Sequence, residues 1–91
     1  MVVSASVARL AGSVSWYLRL NPLASDTLEG IAQWWLSGQA CSLDDLAGAL
    51  RELERAGVIE APHAADGQVR YRRTAPDAHS DAQLDRFIAG S

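Results

Sequence analysis

The chain has 91 residues, a formal net charge of −3 and one cysteine. This length supports one small domain, and the single cysteine excludes an internal disulfide framework and a cysteine-based zinc site. Hydrophobic residues make up 48% and charged residues 21%, which is typical of a globular chain and not of a disordered one. The negative net charge disfavours long-range attraction to nucleic acid.

Targeting features are not visible in the sequence. Residues 1–10 lack a basic region followed by a long apolar stretch, and the apolar runs elsewhere are only a few residues long. We therefore expect a soluble cytoplasmic protein in which Cys41 stays reduced. All eight basic residues are arginine, which we interpret as codon bias in a GC-rich, bacterial genome.

The first predicted helix covers Ser4–Leu20 and ends before Asn21-Pro22, because proline disfavours helical geometry in the residue before it. Arg9, Ser13 and Trp16 lie on its polar side. Apolar residues recur at three- and four-residue spacing and predict the buried face: Val3, Val7, Leu10, Ala11, Val14, Tyr17 and Leu18.

The second predicted helix begins at Asp26, which together with Glu29 fits a capping box. It ends at Ser37-Gly38, and Trp34 lies away from its apolar face. The predicted buried stripe is Leu28, Ile31, Ala32 and Trp35.

The third predicted helix repeats the capping pattern with Ser42 and Asp45. Gly57 follows it in a position that favours the left-handed conformation, and Val58 is expected to fold back on the helix. The predicted apolar seam is Leu43, Leu46, Leu50 and Leu53.

A hairpin and a short fourth helix complete the predicted elements. Val58–Glu60 and Gln68–Arg72 read as strands joined through the turn at Asp66-Gly67. Ser80–Ala89 reads as a helix in which Ser80 and Gln83 match a capping box. Its apolar edge, which is expected to pack on the first helix or on a second copy of the chain, contains Leu84, Phe87 and Ile88.

This order of elements resembles the winged helix-turn-helix superfamily. Residues Leu46–Glu60 follow the pattern L-x-x-x-L-x-x-L-x-x-x-G-x-I-x, which resembles the end of that family's third helix and its entry into the wing. Thr27–Ala32 resembles the start of the second helix, and Tyr71 stands where the returning wing strand often carries an aromatic residue. The resemblance covers roughly Ser4–Thr74.

The resemblance implies a mainly α fold with a three-helix core and a two-stranded β-hairpin wing. Residues 1–74 would form the winged-helix domain, and residues 75–91 a C-terminal extension with a short helix. In this superfamily the third helix usually enters the DNA major groove, although many members bind protein instead.

The exposed face predicted for the third helix does not favour DNA. It carries three acids and two arginines, which gives a net charge of −1. Asp44 and Asp45 lie at the front of the helix, the end that would meet the phosphates of DNA. Both aspartates also have a purely structural explanation, since acids in a first turn stabilise a helix by about 0.3–1 kcal/mol each. The predicted outward residues are Asp44, Asp45, Gly48, Arg51, Glu52 and Arg55.

Arginines supply the opposing case for nucleic-acid binding. Strand alternation directs Arg70 and Arg72 outward, which would give the wing a basic edge together with Arg73. Arg51 and Arg55 would extend that edge along the third helix. The alternative is a solvated strand whose arginines pair with Glu54 or Glu60.

Aromatic residues favour a protein partner. Trp16 and Trp34 both lie off the apolar faces of their helices, and tryptophan is enriched at interface hot spots. Either could instead be covered by Leu84 and Phe87 of the fourth helix, and we predict a partner-binding surface from these four residues.

Catalytic chemistry has little support in the sequence. His63 and His79 lie in predicted loops without a nucleophile or an acid at fixed spacing, so we expect no metal site. Cys41 is either a reactive thiol near a helix start or, as we favour, a small apolar filler. We expect no cofactor and no enzymatic activity. The first hypothesis is a protein-interaction or accessory module that binds another protein or, as a homodimer, itself. The alternative is a small DNA-binding transcriptional regulator.

Overall fold

Helix-forming periodicity and well-placed caps produce a mainly helical chain with a small antiparallel sheet. A computed structural model describes residues 4–36, 39, 41–63 and 65–90. Val3 and the predicted helix end at Ser37-Gly38 lie outside the described residues. The elements in chain order are α1 (Ala5–Leu20), β1 (Ser25–Asp26), α2 (Leu28–Gly30) with its π-helical continuation (Ile31–Trp35), α3 (Leu43–Arg55), β2 (Ile59–Glu60), β3 (Tyr71–Arg73) and α4 (Ala78–Ala89).

Helix α1 confirms the prediction from its periodicity. The Ser4 hydroxyl accepts a hydrogen bond from the Val7 N–H at 3.1 Å, which caps the first turn. The Asn21 N–H donates to the Tyr17 carbonyl at 2.8 Å where the helix ends. Its buried face includes Leu10, Ala11, Val14 and Leu18, whereas Arg9 and Trp16 are exposed.

Helix α2 begins one residue later than predicted. Its N-cap is Thr27, whose hydroxyl accepts from the Gly30 N–H at 3.2 Å. Asp26 instead belongs to β1, and its carboxylate accepts from the Thr27 N–H at 2.8 Å. The helix then widens, since the Leu36 N–H donates to the Ile31 carbonyl at 3.1 Å, the i to i+5 bond of a π-helix.

Helix α3 begins as predicted, because the Ser42 hydroxyl accepts from the Asp45 N–H at 3.0 Å. Two details of its predicted faces are wrong. Leu43 is 44% exposed, since the first helical residue precedes the turn that packs on the core. Gly48 does not point outward, because a Cβ built on it would lie 3.4 Å from Val7 of α1.

The end of α3 matches the predicted glycine stop. Gly57 has φ +78°. Its N–H donates to the Glu54 carbonyl at 2.9 Å, and the Val58 N–H donates to the Leu53 carbonyl at 3.2 Å. These two bonds form a Schellman motif, which satisfies two carbonyls of the last turn.

The sheet has three strands where the sequence predicted two. Their order is β1-β3-β2, and both pairs are antiparallel. Ser25 lies opposite Arg72 on one side of β3, and Glu60 lies opposite the same arginine on the other. Each strand pairing contains one further pair of opposed residues, Asp26 with Tyr71 and Ile59 with Arg73.

The predicted turn lies at the tip of the connection between β2 and β3. Gly67 has φ +85°, and the Asp66 carboxylate accepts from the Gln68 N–H at 3.0 Å. Pairing is sparse beyond β2, where Pro62 lacks an N–H. An isolated bridge joins His63 and Val69 there.

Helix α4 starts earlier than predicted and completes the core. Its N-cap is Asp77, whose carboxylate accepts from the Ser80 N–H at 2.8 Å, and Ser80 is itself buried. The helix packs on α1 of the same chain. The buried apolar side chains of the core are Leu10, Ala11, Val14, Leu18, Ile31, Trp35, Leu36, Leu46, Ala49, Leu50, Leu53, Val58, Ile59 and Leu84. Over the described ranges, none of the helices has the length and apolar character needed to traverse a bilayer.

Candidate interaction surfaces

Two tryptophans are exposed, as the helical periodicity predicts. Trp16 on α1 is 57% exposed and Trp34 in the π-helical segment is 66% exposed. Neither is covered by α4. Leu20 and Leu23, at and just beyond the end of α1, are exposed as well, the latter to 89%.

Trp16 borders an open cleft of about 470 Å³, which we call the Trp16 cleft. The cleft runs along the second half of α1 between the π-helical segment and α4. Since Trp16 and Leu20 are four residues apart, they lie on the same face of α1, about one helical turn apart along the cleft wall. Its lining residues are Gly12, Ser13, Trp16, Tyr17, Leu20, Asn21, Trp35, Gln39 and Ile88.

A stacked aromatic pair supports this cleft. The rings of Tyr17 and Trp35 lie 4.7 Å apart at 11° to each other. Trp35 is 9% exposed and belongs to the core, so it fixes the position of the Tyr17 ring. The pair joins α1 to the π-helical segment, and it gives the cleft a rigid aromatic wall.

A small polar network forms the rim near the start of α1. The Arg9 guanidinium donates to the side-chain Oε1 of Gln39 at 3.2 Å, and the side-chain Nε2 of Gln39 donates to the Ser13 hydroxyl at 3.2 Å. Within the described residues Arg9 has no carboxylate partner. Its positive charge therefore stands uncompensated at this end of the cleft.

The rim near the end of α1 carries an ionic cluster. Arg19 contacts the Asp85 carboxylate at 2.9 Å and the Asp81 carboxylate at 3.2 Å. The hydrogen bond to Asp85 is the main cause that raises the pKa of Arg19 above its ordinary value, despite a smaller opposing effect of desolvation. Asp85 is the most exposed member of the cluster, with 56% of its side chain accessible.

The two α4 residues predicted to bind a partner do not join this surface. Leu84 is completely buried and is a core residue, because α4 docks with this side chain inward. Phe87 is half-buried and lines a separate groove of about 170 Å³ between α1, α3 and α4. The predicted set of Trp16, Trp34, Leu84 and Phe87 is therefore not one continuous surface.

Arg73 is not part of a basic edge, because its side chain is only 2% exposed. Its Nη2 donates to the Ser80 hydroxyl at 2.7 Å, to the Asp81 carboxylate at 2.9 Å and to the Ala75 carbonyl at 3.3 Å. Its Nε is buried without a partner among the described residues. Arg73 thus ties β3 to the first turn of α4 and cannot meet a nucleic acid.

The other four predicted arginines are exposed, but two of them are already paired. Arg72 contacts Glu60 at 2.8 Å across the strands, and Arg55 contacts Glu52 at 3.2 Å. Arg51 and Arg70 make no ion pair with any described residue. Arg70, Arg72 and His63 border a shallow pocket of about 250 Å³ on the outer face of the sheet, together with Ser25 and Pro62.

The exposed side of α3 near the sheet carries charges of both signs. Burial is the largest cause that raises the pKa of Tyr71, followed by the Glu54 carboxylate, while Arg51 opposes the shift and Glu29 adds to it. Asp44 is exposed at the start of the same helix. Arg51 therefore stands in a mixed field of charges and not in a basic patch.

The residues considered for catalysis are dispersed. His63 and His79 are exposed, and Cys41 is partly buried against the core, which fits the apolar filler. In the portion of the chain that the structure describes, no three His, Cys, Asp or Glu residues lie together in a group able to hold a metal ion.

Sequence reasoning missed the Trp16 cleft itself, because it joins residues of three helices and Gln39. The one signal in the sequence for this cleft is the position of Trp16 off the apolar face of its helix, which predicts an exposed aromatic side chain. Comparison with protein-family models, with curated proteins and with solved structures finds no match for this chain.

Proposed function

We propose that this protein is a non-enzymatic winged-helix module that binds a protein partner through the Trp16 cleft. One observation carries the proposal: Trp16 is 57% exposed on the wall of an aromatic cleft. A large aromatic side chain that borders a preformed concave surface is the typical anchor of a protein interface.

The winged-helix part of the proposal is supported by the order of the elements. Three helical segments precede β2 and β3, and the Schellman end of α3 leads directly into β2. This agrees with the resemblance in Leu46–Glu60. A fold of this kind serves many functions, so the function has to be inferred from the residues on the surface.

The absence of enzymatic activity is inferred from the chemistry of the exposed groups. Neither His63 nor His79 hydrogen-bonds to a carboxylate of the described residues, and Cys41 packs with apolar side chains. A general base or an activated nucleophile needs such an adjacent group.

Site-specific photo-crosslinking tests the interaction. A photoreactive phenylalanine analogue placed at Trp16 in the full chain is expected to form a discrete protein adduct in cells. The same analogue at Gln68, which is exposed at the wing turn, is the matched control. Equal crosslinking at both positions, or none at Trp16, would contradict the proposal.

A DNA-binding regulator is the second candidate, favoured by the pocket that Arg70, Arg72 and His63 border. It is weakened because Arg72 pairs with Glu60 and Arg73 is buried. A mobility-shift titration with mixed duplex at low salt separates the candidates. Salt-sensitive binding that Arg70→Ala and Arg72→Ala abolish would favour DNA over the protein partner.

A further inference from the structure

We propose that the pocket bordered by Arg70, Arg72 and His63 binds a single phosphate group, either as free phosphate or as the terminal group of a small phosphate monoester. We call it the Arg70 pocket, and its lining is completed by Ser25 and Pro62. The inference goes beyond the proposed function and does not depend on it, because this pocket and the Trp16 cleft share no lining residue.

The register of the sheet brings the polar groups of this pocket together. Arg72 lies opposite Ser25 of β1. Arg70 stands two residues before Arg72, so both side chains leave the extended chain on the same side. The Arg70 N–H donates to the Pro62 carbonyl at 3.2 Å, which holds Arg70 beside the segment that carries His63. Three segments that are separate in the sequence therefore place two guanidinium groups, a hydroxyl and an imidazole around one pocket.

The hydrogen bonding of Arg72 leaves donors for a ligand. Its Nε donates to the Glu60 carboxylate at 2.8 Å, whereas its Nη groups make no hydrogen bond to a described residue. Glu60 thus orients the guanidinium and leaves the Nη donors open. Two parallel N–H donors of one guanidinium, or of two neighbouring ones, are what arginine presents to the oxygens of a phosphate.

The charge of the pocket favours an oxyanion. Arg70 makes no ion pair with any residue that the structure describes, and none of the described lining residues is acidic. Glu60 offsets one of the two arginine charges, so the pocket stays positive on a chain whose formal net charge is −3. The Ser25 hydroxyl and the His63 imidazole, which has an N–H donor in either protonation state, add hydrogen-bonding groups.

Two observations favour one phosphate group over the backbone of a duplex. Binding to DNA phosphates uses several contacts along a basic stripe, but Arg73 is buried and Arg51 does not line the pocket. The pocket measures about 250 Å³, which is below the roughly 300–1,000 Å³ of sites for drug-sized ligands. The cationic groups therefore converge on a space that fits one phosphate with a small substituent.

Nuclear magnetic resonance titration of the full chain tests the proposal. Inorganic phosphate and glycerol 3-phosphate, added in the millimolar range at constant ionic strength, should shift the amide resonances of Arg70, Arg72 and Ser25 in a saturable way. Dimethyl phosphate carries only the lower charge of a nucleic-acid phosphate and should bind more weakly. Tighter binding of glycerol 3-phosphate than of inorganic phosphate would support a monoester as the ligand, and equal binding would support the phosphate group alone.

Substitutions identify the groups that bind. Arg70→Ala and Arg72→Ala should each weaken phosphate binding at least about tenfold, because each removes hydrogen bonds to a charged ligand. Arg51→Ala is the matched control, since Arg51 is also exposed and without an ion pair to a described residue but lies on α3 outside the pocket. It should leave the affinity unchanged. Circular dichroism verifies that each variant is folded.

The contrary outcomes are distinct from those of the proposed function. Absence of a saturable shift with both phosphate probes overturns the site, as does equal weakening by Arg51→Ala, which would show general attraction to positive charge. Equal affinity for dimethyl phosphate overturns the assignment to free phosphate or a monoester. If a duplex binds and neither phosphate probe does, the second candidate function is favoured and the single-phosphate site fails. Crosslinking at Trp16 decides the protein partner separately from all of these results.

Discussion

Gly57 ends α3 with φ +78°, and no atom beyond its two chain neighbours lies within 4 Å of the Cβ that another residue would add. Any cost of substitution therefore comes from the backbone and not from a collision. Gly57→Ala should lower the free energy of unfolding by about 1–2 kcal/mol, because L-residues with a Cβ resist the left-handed region. Urea denaturation measures the change.

Gly57→Asn is the matched control for that prediction. Asparagine tolerates the left-handed conformation better than alanine, so its loss should be smaller. An equal loss in both variants would show that the cost arises from something other than backbone conformation.

Tyr71 provides a prediction for the pH dependence of stability. Burial and the Glu54 carboxylate raise the pKa of its phenol above the ordinary value near 10. A group whose pKa is higher in the folded chain stabilises it below the unfolded pKa, and that stabilisation is lost as the pH rises through the folded pKa. The free energy of unfolding should therefore fall between pH 10 and the folded pKa.

Tyr71→Phe should remove this part of the pH dependence, and Glu54→Gln should reduce it. Absorbance of the phenolate, compared between wild type and Tyr71→Phe, measures the titration directly. A pKa of Tyr71 at or below the ordinary value would contradict the assignment.

Single-residue patterns predicted some placements and not others. The helical period correctly left Trp16 and Trp34 off the buried faces, because that period depends only on the local backbone. Strand alternation placed Tyr71 inward, and the same alternation puts Arg73 on that side. Predicting the burial of Arg73 also requires the acceptors on α4, which no local pattern brings next to β3.

At the scale of elements, the buried Arg73 holds helix α4 in position against β3. Asp81 accepts one hydrogen bond from Arg73 and contacts Arg19, so it joins β3, α4 and α1. Asp81→Asn should lower the free energy of unfolding by about 1.5–3 kcal/mol, because it deprives a buried guanidinium of its counter-charge. Urea denaturation again provides the measurement.

Asp85→Asn is the control on the same helix. It removes a contact to Arg19 in which 56% of the Asp85 side chain is accessible, and exposed pairs contribute little to stability. Its effect should therefore be clearly smaller than that of Asp81→Asn. A reversed order would show that Arg73 does not depend on Asp81.

Element boundaries show why capping patterns alone are ambiguous. Asp26 and Thr27 both can cap, as can Asp77 and Ser80, so the sequence contains competing starts for α2 and α4. Tertiary contacts decide between them. Asp26 is taken by β1, and Ser80 turns inward to Arg73. The two-residue strand β1 itself has no periodicity long enough to detect, and it pairs because β3 passes alongside.

At the scale of the whole molecule, α4 shares one hydrophobic core with the other helices, so we expect the chain to unfold as one cooperative unit. Leu84 is completely buried in the same core as Leu10 and Leu50. The sequence division into residues 1–74 and 75–91 separates segments that share this core. The first segment alone would expose the α1 face that α4 covers and would leave Arg73 without Ser80 and Asp81.

Leu84→Ala should therefore destabilise the entire chain by about 2–5 kcal/mol, a large part of the roughly 5–15 kcal/mol typical of a small domain. Fluorescence of the three tryptophans and far-ultraviolet circular dichroism should report one coincident transition at lower denaturant. Leu23→Ala, at a side chain 89% exposed, should change little. Deletion of residues 78–91 should abolish the cooperative transition. If the shortened chain unfolded cooperatively with unchanged stability, α4 would be an appendage and not a part of the core.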